Sequence, residues 1–574
     1  MTFTATGTDP ILLSFPAWTP GSYEISNFAR NVRDFTATAG GGGGGGSGTP
    51  LRWDKTDPDT WRLWAGSSGG GEVRVEFRFF ADSLDNAMAW ARADFLLVNG
   101  TNVFPYPEGI GLEFPATVTV RTEPGWRVAT GMRPAEAGRA SGAGGAVGSG
   151  SATAPNAYRE ANYHDLVDMP FFIGRLDVDS VMIEGKPYRV ASWPSGVFRG
   201  AARQLFLAQL RTTVPAMARV YGETPWDAYT TLLIFDQSYG GGSALEHQNS
   251  HVGIYNPGFI GTPILASITA HEIYHGWNVK RLRPADLVPY RYDAPQPTVW
   301  LWVSEGITDY YADLALVRGG IVDSAGFLEL LTEKLNETEA SSPVALEDAS
   351  LSTWVQPTDG SAYVYYPKGG LAGFLLDVLI RDASDNRSSL DHVMRTLYER
   401  TWKAGRGFTG EDFWNTVREA AGGKDFADFH RRYIDGREPF PWAEALPLAG
   451  LRIAADTVRE PRIGVSTATD STGTLVLEVV PGSAAAEAGV QMGDVLVRVG
   501  EIPVTDDDFG LRFRARYARA AEGSPLEIVV RREGRETRLA GRLRFGQQVV
   551  RRFEADPRAT LKATRIRTGL FTGR

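Results

Sequence analysis

Hydrophobic and polar residues alternate in short runs over the first third of the chain. Gly, Pro and Asn separate these runs, which include ILLSFPAW, EVRVEFRFFA, ATVTVRT and WRVATG. Alternation with a period of two is typical of strands with one buried face, and the separators indicate turns between antiparallel strands. The sequence therefore predicts an N-terminal, sandwich-like antiparallel β domain over residues 1–178.

Two low-complexity segments interrupt this predicted domain. Gly40–Gly46 is an unbroken glycine run, and Ala135–Ala154 consists mostly of glycine, alanine and serine. We expect both to form flexible loops that tolerate insertion and have no chemistry of their own.

Two polar stretches of the same region contain residue types that could serve a functional site. We interpret PAWTPGSYE as a structural turn, with a loop that reaches the active site as the alternative; its notable residues are Trp18, Pro20, Gly21 and Tyr23. YHDLVDMPF could bind a metal, but it lacks a regular ligand spacing, so a linker loop is favoured; its candidate ligands are His164, Asp165 and Asp168.

The pattern changes near residue 180 from alternation to helical periodicity. The run SGVFRGAARQLFLAQLRTTVPAMARVYG predicts a helix, and the strand WDAYTTLLIFD follows it. Further helices are predicted for GFLELLTEKLNE, GLAGFLLDVLIRD, LDHVMRTLYERTW and GEDFWNTVREAA. Thr409 and Asp412 form a predicted capping box before the last of these. We expect a mixed α/β and helical domain over residues 179–450.

Short strands return after about Arg452. They are IGVSTA, TLVLEVV, DVLVRVGEIPV and LEIVVRREGRETRLA, with SAAAEAGV as a small helix among them. The sequence thus predicts a third domain over residues 451–548, followed by a tail over residues 549–574 that is either a docking strand or disordered. The fold class expected for the whole chain is multidomain α+β.

Length and composition restrict the function. A chain of 574 residues is expected to form about three to four domains. The net charge of −9 disfavours nucleic acid as a partner, and the lack of cysteine excludes disulfides, thiolate nucleophiles and Cys-ligated zinc. No signal peptide and no apolar stretch of membrane-spanning length is visible, which favours a cytoplasmic over a periplasmic location.

The strongest chemical signal is the motif His271-Glu272-Ile273-Tyr274-His275, in a run that predicts a helix. Residues four apart lie on one helix face, so both imidazoles can bind one zinc ion. Glu272 lies where its carboxylate can reach the attacking water without binding the metal. The alternative is a core helix with two hydrogen-bonded histidines, but chance would assemble this motif in only about one such chain in two hundred.

A catalytic zinc site requires a third protein ligand. A second predicted helix, TVWLWVSEGITDYYADLALV, carries Glu305 and, four residues later, Asp309. Glu305 is the expected third ligand, and Asp309 is expected to accept the remaining N–H of a ligand histidine. The alternative, a solvated acidic face, is disfavoured by the apolar neighbours Trp300, Trp302, Ile307 and Tyr310. This ligand set also suits non-haem iron, but the HExxH spacing favours Zn2+.

Three glycines, Gly240–Gly242, precede the run SALEHQNSHVGIYNP. They could form a phosphate cradle, but no Gly-Lys-Ser/Thr follows them, so that signal is weak. We favour a glycine-rich edge strand that lets another backbone approach closely.

These motifs together resemble the glycyl aminopeptidase family, which consists of thermolysin-like zinc peptidases with a PDZ module. The resemblance is carried by PAWTPGSYEISNFARNV, GGSALEHQNS, HEIYHGWNVKRLRP, WVSEGITDYYADL, YYPKGG and PGSAAAEAGVQMGDVLVRVGE. It implies that residues 179–450 form a thermolysin-like catalytic domain and residues 451–548 a PDZ domain.

The resemblance also implies roles in peptide hydrolysis. His271, His275 and Glu305 would bind zinc, and Glu272 would act as the general base that transfers a proton to the leaving amine. Tyr366, in Tyr-Pro-Lys-Gly, would stabilise the oxyanion. Related aminopeptidases have Glu where this chain has Pro367. Tyr363 and Tyr365 are weaker candidates for the same role, and the alternative for Tyr366 is an aromatic residue that only packs.

The resemblance further assigns Glu246 to the free α-ammonium group of the substrate. His247 and Asn249 would flank that pocket, with a plain surface position as the alternative for His247. The backbone at Gly241 and Gly242 would pair with the substrate as an added strand. The family's preference for N-terminal Gly or Ala implies a shallow first pocket.

The PDZ resemblance rests on Pro481-Gly482-Ser483, Ala488-Gly489-Val490 and Gly493-Asp494. The loop Arg462–Val465 is the expected site for the carboxylate of an extended peptide or protein ligand. Two alternatives to a zinc aminopeptidase that acts on peptides with a free N-terminus stay open. One is a zinc endopeptidase on the same scaffold, and the other is a non-catalytic binding protein that uses its PDZ and β domains.

Overall fold

A computed structural model describes all residues except 6–9, 41–47, 65–70, 136–146, 149–155, 471–472 and 506–508. The predicted low-complexity loops Gly40–Gly46 and Ala135–Ala154 lie largely outside the described residues. The chain divides into two compact units. The first contains residues 1–452 and 553–574, and the second contains residues 453–552.

Antiparallel strands dominate the start of the first unit, as the alternating pattern predicts. In chain order they are β1 Thr2–Thr4, β2 Ile11–Ser14, β3 Val32–Ala39, β4 Thr49–Pro50, β5 Arg52–Lys55, β6 Thr60–Trp64, β7 Glu72–Phe79, β8 Trp90–Arg92, β9 Phe95–Val98, β10 Tyr106–Pro107, β11 Ala116–Val120, β12 Arg127–Thr130, β13 Val147–Gly148, β14 Asn156–Glu160 and β15 Phe171–Gly174. They form sheets of order β1-β7-β3-β4, β10-β2-β6-β5, β11-β14 and β13-β12-β15-β9-β8.

Side chains that point inward from the first two of these sheets form one core. Alternate positions on facing strands supply it, as a strand with one buried face requires. Its members include Leu13, Phe15, Trp61, Leu63, Val73 and Val75. Two short helices, α1 Gly100–Val103 and α2 Tyr163–Val167, belong to the same region. The linker loop expected around His164 is therefore wrong in part, because α2 forms there and the side chain of Asn162 accepts a hydrogen bond from the Asp165 N–H.

A mixed sheet follows and supports the functional site. Its strands are β16 Asp177–Ile183, β17 Lys186–Trp193, β18 Tyr229–Phe235, β19 Gly242–Glu246 and β20 Ser250–Tyr255, and the long helix α3 Gly200–Tyr221 lies between β17 and β18 in sequence. The sheet order is β16-β17-β18-β20-β19, with β17, β18 and β20 parallel and the outer strands antiparallel. Every residue of β18 and β20 is buried, which agrees with parallel strands covered on both faces.

The remainder of the first unit is mostly helical. Its helices are α4 Pro263–Tyr274, α5 Thr308–Arg318, α6 Ser324–Ala340, α7 Leu346–Ser352, α8 Pro367–Ala383, α9 Leu390–Arg400, α10 Gly410–Ala420, α11 Ala427–Phe429 and α12 Trp442–Ala445. A π-helical turn over Trp302–Ile307 leads directly into α5. The predicted capping box is present, since Thr409 and Asp412 exchange hydrogen bonds at the start of α10.

The second unit is a small β domain with two helices. Its elements are β21 Leu451–Arg462, β22 Val465–Asp470, β23 Gly473–Val479, α13 Ala484–Ala488, β24 Val495–Val499, β25 Ile502–Pro503, α14 Phe509–Tyr517, β26 Pro525–Arg532, β27 Arg535–Arg542 and β28 Arg544–Ala555. The sheet order is β22-β23-β24-β26-β27, and β21 pairs with β28. A groove of about 820 Å³ includes the loop Arg462–Val465 and α14 residues Phe509 and Phe513 among its lining.

The C-terminal segment differs from the tail expected for residues 549–574. Strand β28 continues to Ala555, and a further helix, α15 Leu561–Thr572, follows it. Thr560 caps this helix by accepting a hydrogen bond from the Ala563 N–H. Ile566 and Leu570 are fully buried where α15 packs against α5 and α8, so this segment belongs to the first unit.

No helix in the described part of the chain is both long and apolar enough to cross a membrane.

Candidate active site

Helix α4 brings two imidazoles together at its C-terminal end. The Nε2 atoms of His271 and His275 lie 2.9 Å apart. The Nδ1 of His275 is 2.8 Å from the carbonyl oxygen of Asn278, which can only accept a hydrogen bond. That ring nitrogen therefore carries the proton, and the lone pair of Nε2 is free to bind a cation.

Glu305 completes a group of three buried donors. Its Oε2 lies 3.1 Å from the Nε2 of His275 and 3.5 Å from the Nε2 of His271. One ligand atom from each residue falls within 4.8 Å of the others. Burial disfavours a charge on Glu305, but the two imidazoles outweigh it and hold the pKa of this carboxyl below its usual range.

The π-helical turn accounts for the position of Glu305. This turn aims the carboxylate at α4, and the regular helix α5 begins three residues later at Thr308. Asn278 fixes the turn, because its side-chain amide donates to the carbonyl of Val303 at 2.8 Å and to the hydroxyl of Thr308 at 2.9 Å. π-helical turns inside helices are frequent at functional sites.

Asp309 lies next to the other ring nitrogen of His271. Its Oδ1 is 3.5 Å from the Nδ1 of that histidine, and its Oδ2 is 2.9 Å from the Nζ of Lys334. Lys334 also pairs with Asp313 at 2.9 Å. Burial alone would lower the pKa of His271. The effect of Asp309 and Glu305 is larger and raises this pKa to about 10. The site therefore favours positive charge.

Glu272 is a buried carboxylate on the same helix. Its Oε2 has no hydrogen-bond partner among the described residues. Burial raises its pKa to about 7, although the two neighbouring histidines act in the opposite direction. A carboxylate with a pKa near neutrality can both accept and release a proton, as general acid–base catalysis requires.

Of the three neighbouring tyrosines, Tyr366 is the one whose ring approaches His271, at a centroid distance of 5.9 Å. It directly precedes α8. The hydroxyl of Tyr365 forms a hydrogen bond with the hydroxyl of Thr353 at 3.1 Å, and Tyr363 is 54% exposed. The pKa of Tyr366 is raised by burial and by nearby carboxylates, so its hydroxyl keeps its proton and can donate.

Strand β19 forms one wall of the site and is an edge strand within the described sheet. The carbonyl of Gly241 accepts from the N–H of Asn256 at 2.8 Å, so this carbonyl faces β20 and is not open to a substrate, contrary to the expectation for Gly241. In antiparallel pairing the direction alternates, and the backbone groups of Gly242 and Ala244 therefore face the open edge. The carbonyl of Ala244 accepts from the side-chain amide of Asn86 at 2.7 Å.

Glu246 ends this strand with a buried carboxylate. Its Oε1 has no hydrogen-bond partner among the described residues and lies 3.8 Å from the Nζ of Lys280. Lys280 pairs with Asp168 at 3.0 Å. His247 is fully buried and its Nδ1 is 3.1 Å from Asp168, so the surface position considered for it is wrong. Asn249 donates its side-chain amide to the carbonyl of Gly131 at 3.0 Å.

The loop that contains PAWTPGSYE reaches this site, which was the alternative to a purely structural turn. The hydroxyl of Tyr23 donates to Oε1 of Glu305 at 2.9 Å. Gly21 lies directly against Glu246, since a Cβ at this position would be 2.5 Å from Oε2 of that carboxylate. A cavity of about 230 Å³ lies between this loop, β19 and the tyrosines that include Tyr366.

Comparison with protein families matches three parts of the chain. Residues 1–175 match the Peptidase M61 N-terminal domain, residues 265–372 match the M61 glycyl aminopeptidase domain, and residues 475–532 match a PDZ domain. The chain is thus similar to the M61 glycyl aminopeptidase family in both its N-terminal and its catalytic part. It is therefore a metallopeptidase of the zinc aminopeptidase type, and the PDZ module expected from the sequence is confirmed.

Solved structures also resemble this chain. An aminopeptidase N family protein from Idiomarina loihiensis has 22% sequence identity and a TM-score of 0.79, with 100% of this chain and 96% of that chain covered. At this identity the likeness establishes the shared fold. An M1 zinc metallopeptidase from Deinococcus radiodurans has 13% identity and a TM-score of 0.46, covering 77% of this chain and 90% of that chain. No curated protein gives a significant match to the chain.

The structure brings most of the predicted site residues together. His271, His275 and Glu305 meet as a possible metal-binding group. Three further residues lie at the site: Tyr23, which the sequence placed in a turn or an active-site loop, Asp168, which it offered only as a disfavoured metal ligand, and Lys280, to which it assigned no role. A polar side chain in a non-periodic loop gives no spacing signal, so only the resemblance of PAWTPGSYE and HGWNVKRLRP to the family could have indicated the roles of Tyr23 and Lys280.

Proposed function

We propose that this protein is a zinc-dependent aminopeptidase that hydrolyses the N-terminal peptide bond of peptides with a small first residue. The single observation that carries this proposal is the buried carboxylate of Glu246. Its Oε1 accepts no hydrogen bond from the described residues, and Glu246 belongs to the same unit as the HExxH residues. A buried carboxylate oxygen without a hydrogen bond is costly unless a donor or cation completes it, and a substrate α-ammonium group is such a donor.

His271, His275 and Glu305 would hold the zinc ion. Two imidazole nitrogens and one carboxylate oxygen are a donor set that zinc prefers in peptidases. The two Nε2 lone pairs face each other at 2.9 Å, an arrangement that is unfavourable unless a cation or proton lies at this position. When bound, the metal supplies Lewis acidity that activates water and polarises the scissile carbonyl.

Glu272 would act as the general base and then as the general acid. Its carboxylate accepts a proton from the attacking water and delivers that proton to the nitrogen of the leaving amine. Its burial and its pKa of about 7 suit both steps at neutral pH. Glu272 is adjacent in sequence to His271, yet it does not belong to the three-donor group.

Tyr366 would donate a hydrogen bond to the oxyanion that develops on the scissile carbonyl. Its ring lies beside His271, and its hydroxyl keeps its proton because burial raises its pKa. A preorganised donor that meets charge only in the transition state lowers the barrier without tightening substrate binding.

Glu246 and β19 would set the register of the substrate. The carboxylate binds the α-ammonium group, while the outward backbone groups at Gly242 hydrogen-bond to the substrate as an added strand. With the amine fixed, the first peptide bond is the one presented for hydrolysis. The backbone of Gly21 lies against Glu246 and limits the space beside it, which supports a preference for Gly or Ala at the first position.

The position of Lys280 beside Glu246 favours a second candidate function. Its ammonium group lies 3.8 Å from Oε1 of Glu246, so it could satisfy this carboxylate without a substrate amine. The protein would then be an endopeptidase on the same scaffold. Asp168 weakens this alternative, because it pairs with Lys280 at 3.0 Å and takes up its charge.

The deciding experiment compares a short Gly- or Ala-initiated peptide with its N-acetylated form, each with and without a zinc chelator. We expect chelator-sensitive hydrolysis of the free peptide alone. Equal hydrolysis of both peptides would support the endopeptidase, and no hydrolysis by zinc-loaded protein would contradict both.

The Glu246→Gln variant tests the amine-binding role directly. Loss of a charge-assisted hydrogen bond, about 1.5–3 kcal/mol, should lower kcat/KM for the free peptide roughly 10- to 100-fold. Glu160→Gln is the matched control, because Glu160 is also a buried carboxylate but belongs to β14 and pairs with the backbone N–H of Arg133. This control should leave kcat/KM unchanged.

The PDZ domain would bind an extended peptide or protein segment in the groove beside β22. An added strand pairs with β22, while the loop Arg462–Val465 offers backbone N–H groups to a terminal carboxylate. Arg514 and Arg544 also line the groove and favour a ligand with acidic character.

A further inference from the structure

Tyr23 connects the N-terminal β domain to the proposed metal site. Its hydroxyl donates to Oε1 of Glu305 at 2.9 Å, across 282 positions of sequence. The residues are 3% and 2% exposed, so water does not compete for this bond. A hydrogen bond to a charged, buried acceptor is stronger than an ordinary one.

The bond divides the two carboxylate oxygens of Glu305 between different partners. Oε1 is engaged by the phenol, and Oε2 is the oxygen that lies 3.1 Å and 3.5 Å from the two imidazole Nε2 atoms. A carboxylate that is free to rotate about its last bond could present either oxygen or both. The phenol removes that freedom.

The loop that carries Tyr23 is anchored to the catalytic part of the unit on several sides. The N–H of Ala17 donates to the carbonyl of Tyr292 at 2.7 Å, and the indole N–H of Trp18 donates to the carbonyl of Arg291 at 2.7 Å. The ammonium group of Lys280 donates to the carbonyl of Pro20 at 3.2 Å. These bonds fix the loop relative to the segment that follows α4.

Local geometry also holds the phenol in place. Trp354 packs edge-on against both Trp18 and Tyr23, at centroid distances of 5.0 Å and 6.3 Å. Tyr23 itself has a φ of 49°, in the left-handed region that residues other than glycine seldom adopt. Such a conformation persists only where the surroundings enforce it, and it is frequent at functional sites.

From these contacts we propose that Tyr23 is a positioning residue that orients Glu305 as a metal ligand, so that the N-terminal β domain completes the metal site. This inference rests on the proposed zinc site, but it does not require that the substrate be an N-terminal peptide bond. Residues that orient a ligand typically alter metal affinity about 10- to 100-fold when they are replaced.

The test measures zinc affinity of the full-length protein by competition with a metal chelator. Tyr23→Phe removes only the hydroxyl and should weaken zinc binding about 10- to 100-fold. Tyr163→Phe is the matched control, since this buried tyrosine of the same domain donates to the carbonyl of Phe104 at 2.6 Å, away from the site. It should bind zinc as tightly as the unmodified protein.

A second variant covers the case in which Tyr23→Phe fails to fold. Trp354 is partly exposed, and Trp354→Leu loosens the ring packing around Tyr23 while leaving its hydroxyl in place. We expect a smaller loss of zinc affinity than in Tyr23→Phe.

Unchanged zinc affinity in the folded variants would overturn the proposal, even if hydrolysis fell, because the phenol would then act on the substrate. Absence of zinc binding by the unmodified protein would instead contradict the proposed zinc site itself. Peptide hydrolysis plays no part in either outcome.

Discussion

Glu272 differs from the neighbouring acidic residues of the site because its Oε2 has no hydrogen-bond partner among the described residues. Glu305 faces two imidazoles and Asp309 faces Lys334, whereas burial is the main cause that raises the pKa of Glu272 to about 7, against the opposing effect of the two histidines. The local environment thus separates a proton-transfer role from the ligand and supporting roles.

Replacement of this residue by Glu272→Gln should abolish most hydrolysis and leave zinc binding intact. The amide has the same shape but cannot accept the proton, and general-base catalysis contributes about 10²- to 10⁴-fold. Peptide hydrolysis and zinc content are measured on the same preparation. A variant that loses its zinc would indicate that Glu272 helps to hold the metal, contrary to this assignment.

Tyr366 is expected to contribute to the transition state and not to binding. Tyr366→Phe should lower kcat about 10²- to 10³-fold with little change in KM, because the donor meets charge only in the transition state. Tyr363→Phe serves for comparison, since Tyr363 is 54% exposed and should have a small effect. Equal losses in both variants would mean that Tyr366 has no special role.

At the residue scale, the sequence could indicate His271 and His275 because helical spacing alone puts them on one face. Glu305 followed from the need for a third ligand on a nearby helix. Tyr23 and Lys280 could not be found in this way, because each lies in an irregular segment and acts through tertiary contacts. Spacing arguments work where a regular helix or strand fixes the direction of its side chains. They fail where tertiary contacts alone fix that direction.

At the element scale, the site depends on close packing between the π-helical turn and α8. Gly306 lies in that turn, and a Cβ on it would be 2.5 Å from the Cα of Gly369 and from the carbonyl oxygen of Tyr365. The contact is between backbones, which only glycine allows. It connects the π-helical turn, which contains Glu305, to α8, which begins directly after Tyr366.

Gly306→Ala should therefore separate these elements. We expect a loss of about 1–3 kcal/mol in the free energy of unfolding, typical of overpacking in a core, together with weaker zinc binding. Denaturant unfolding and chelator competition measure the two effects. The control is Gly373→Ala on α8, whose Cβ would be 3.3 Å or more from side chains that can adjust. Equal destabilisation by both changes would contradict the role of the backbone contact.

Periodicity predicted most of the elements with regular patterns, and it missed the helix near the C-terminal end. The strands of the N-terminal domain and the helices α3, α6, α8, α9 and α10 follow from their patterns. Helix α15 was missed, although Ala563, Ile566 and Leu570 recur at helical spacing and are buried. Its basic residues between them obscured the apolar face. The π-helical turn was also beyond prediction, because tertiary contacts to Asn278 define it.

At the scale of the whole molecule, all candidate catalytic and metal-binding residues lie in the first unit, which two distant parts of the chain complete. The chain leaves this unit after Arg452 and returns at Phe553. The two ends meet there, because the N–H of Asp556 donates to the carbonyl of Gly450 at 2.9 Å and Arg452 pairs with Glu554. The PDZ unit is therefore inserted between two adjacent points of the catalytic unit.

This connectivity predicts that residues 453–552 can be replaced by a short Gly-Ser linker. Removing an inserted domain whose two ends are adjacent changes the free energy of unfolding of the remaining unit little. The shortened protein should therefore fold, bind zinc and hydrolyse short peptides at an unchanged rate. Truncation after Asp556 is the informative contrast, because it removes α15 and exposes the surface that Ile566 and Leu570 cover. It should lower the melting temperature markedly. If the linker variant binds zinc but no longer cleaves short peptides, the PDZ unit takes part in the reaction and does more than recruit a ligand.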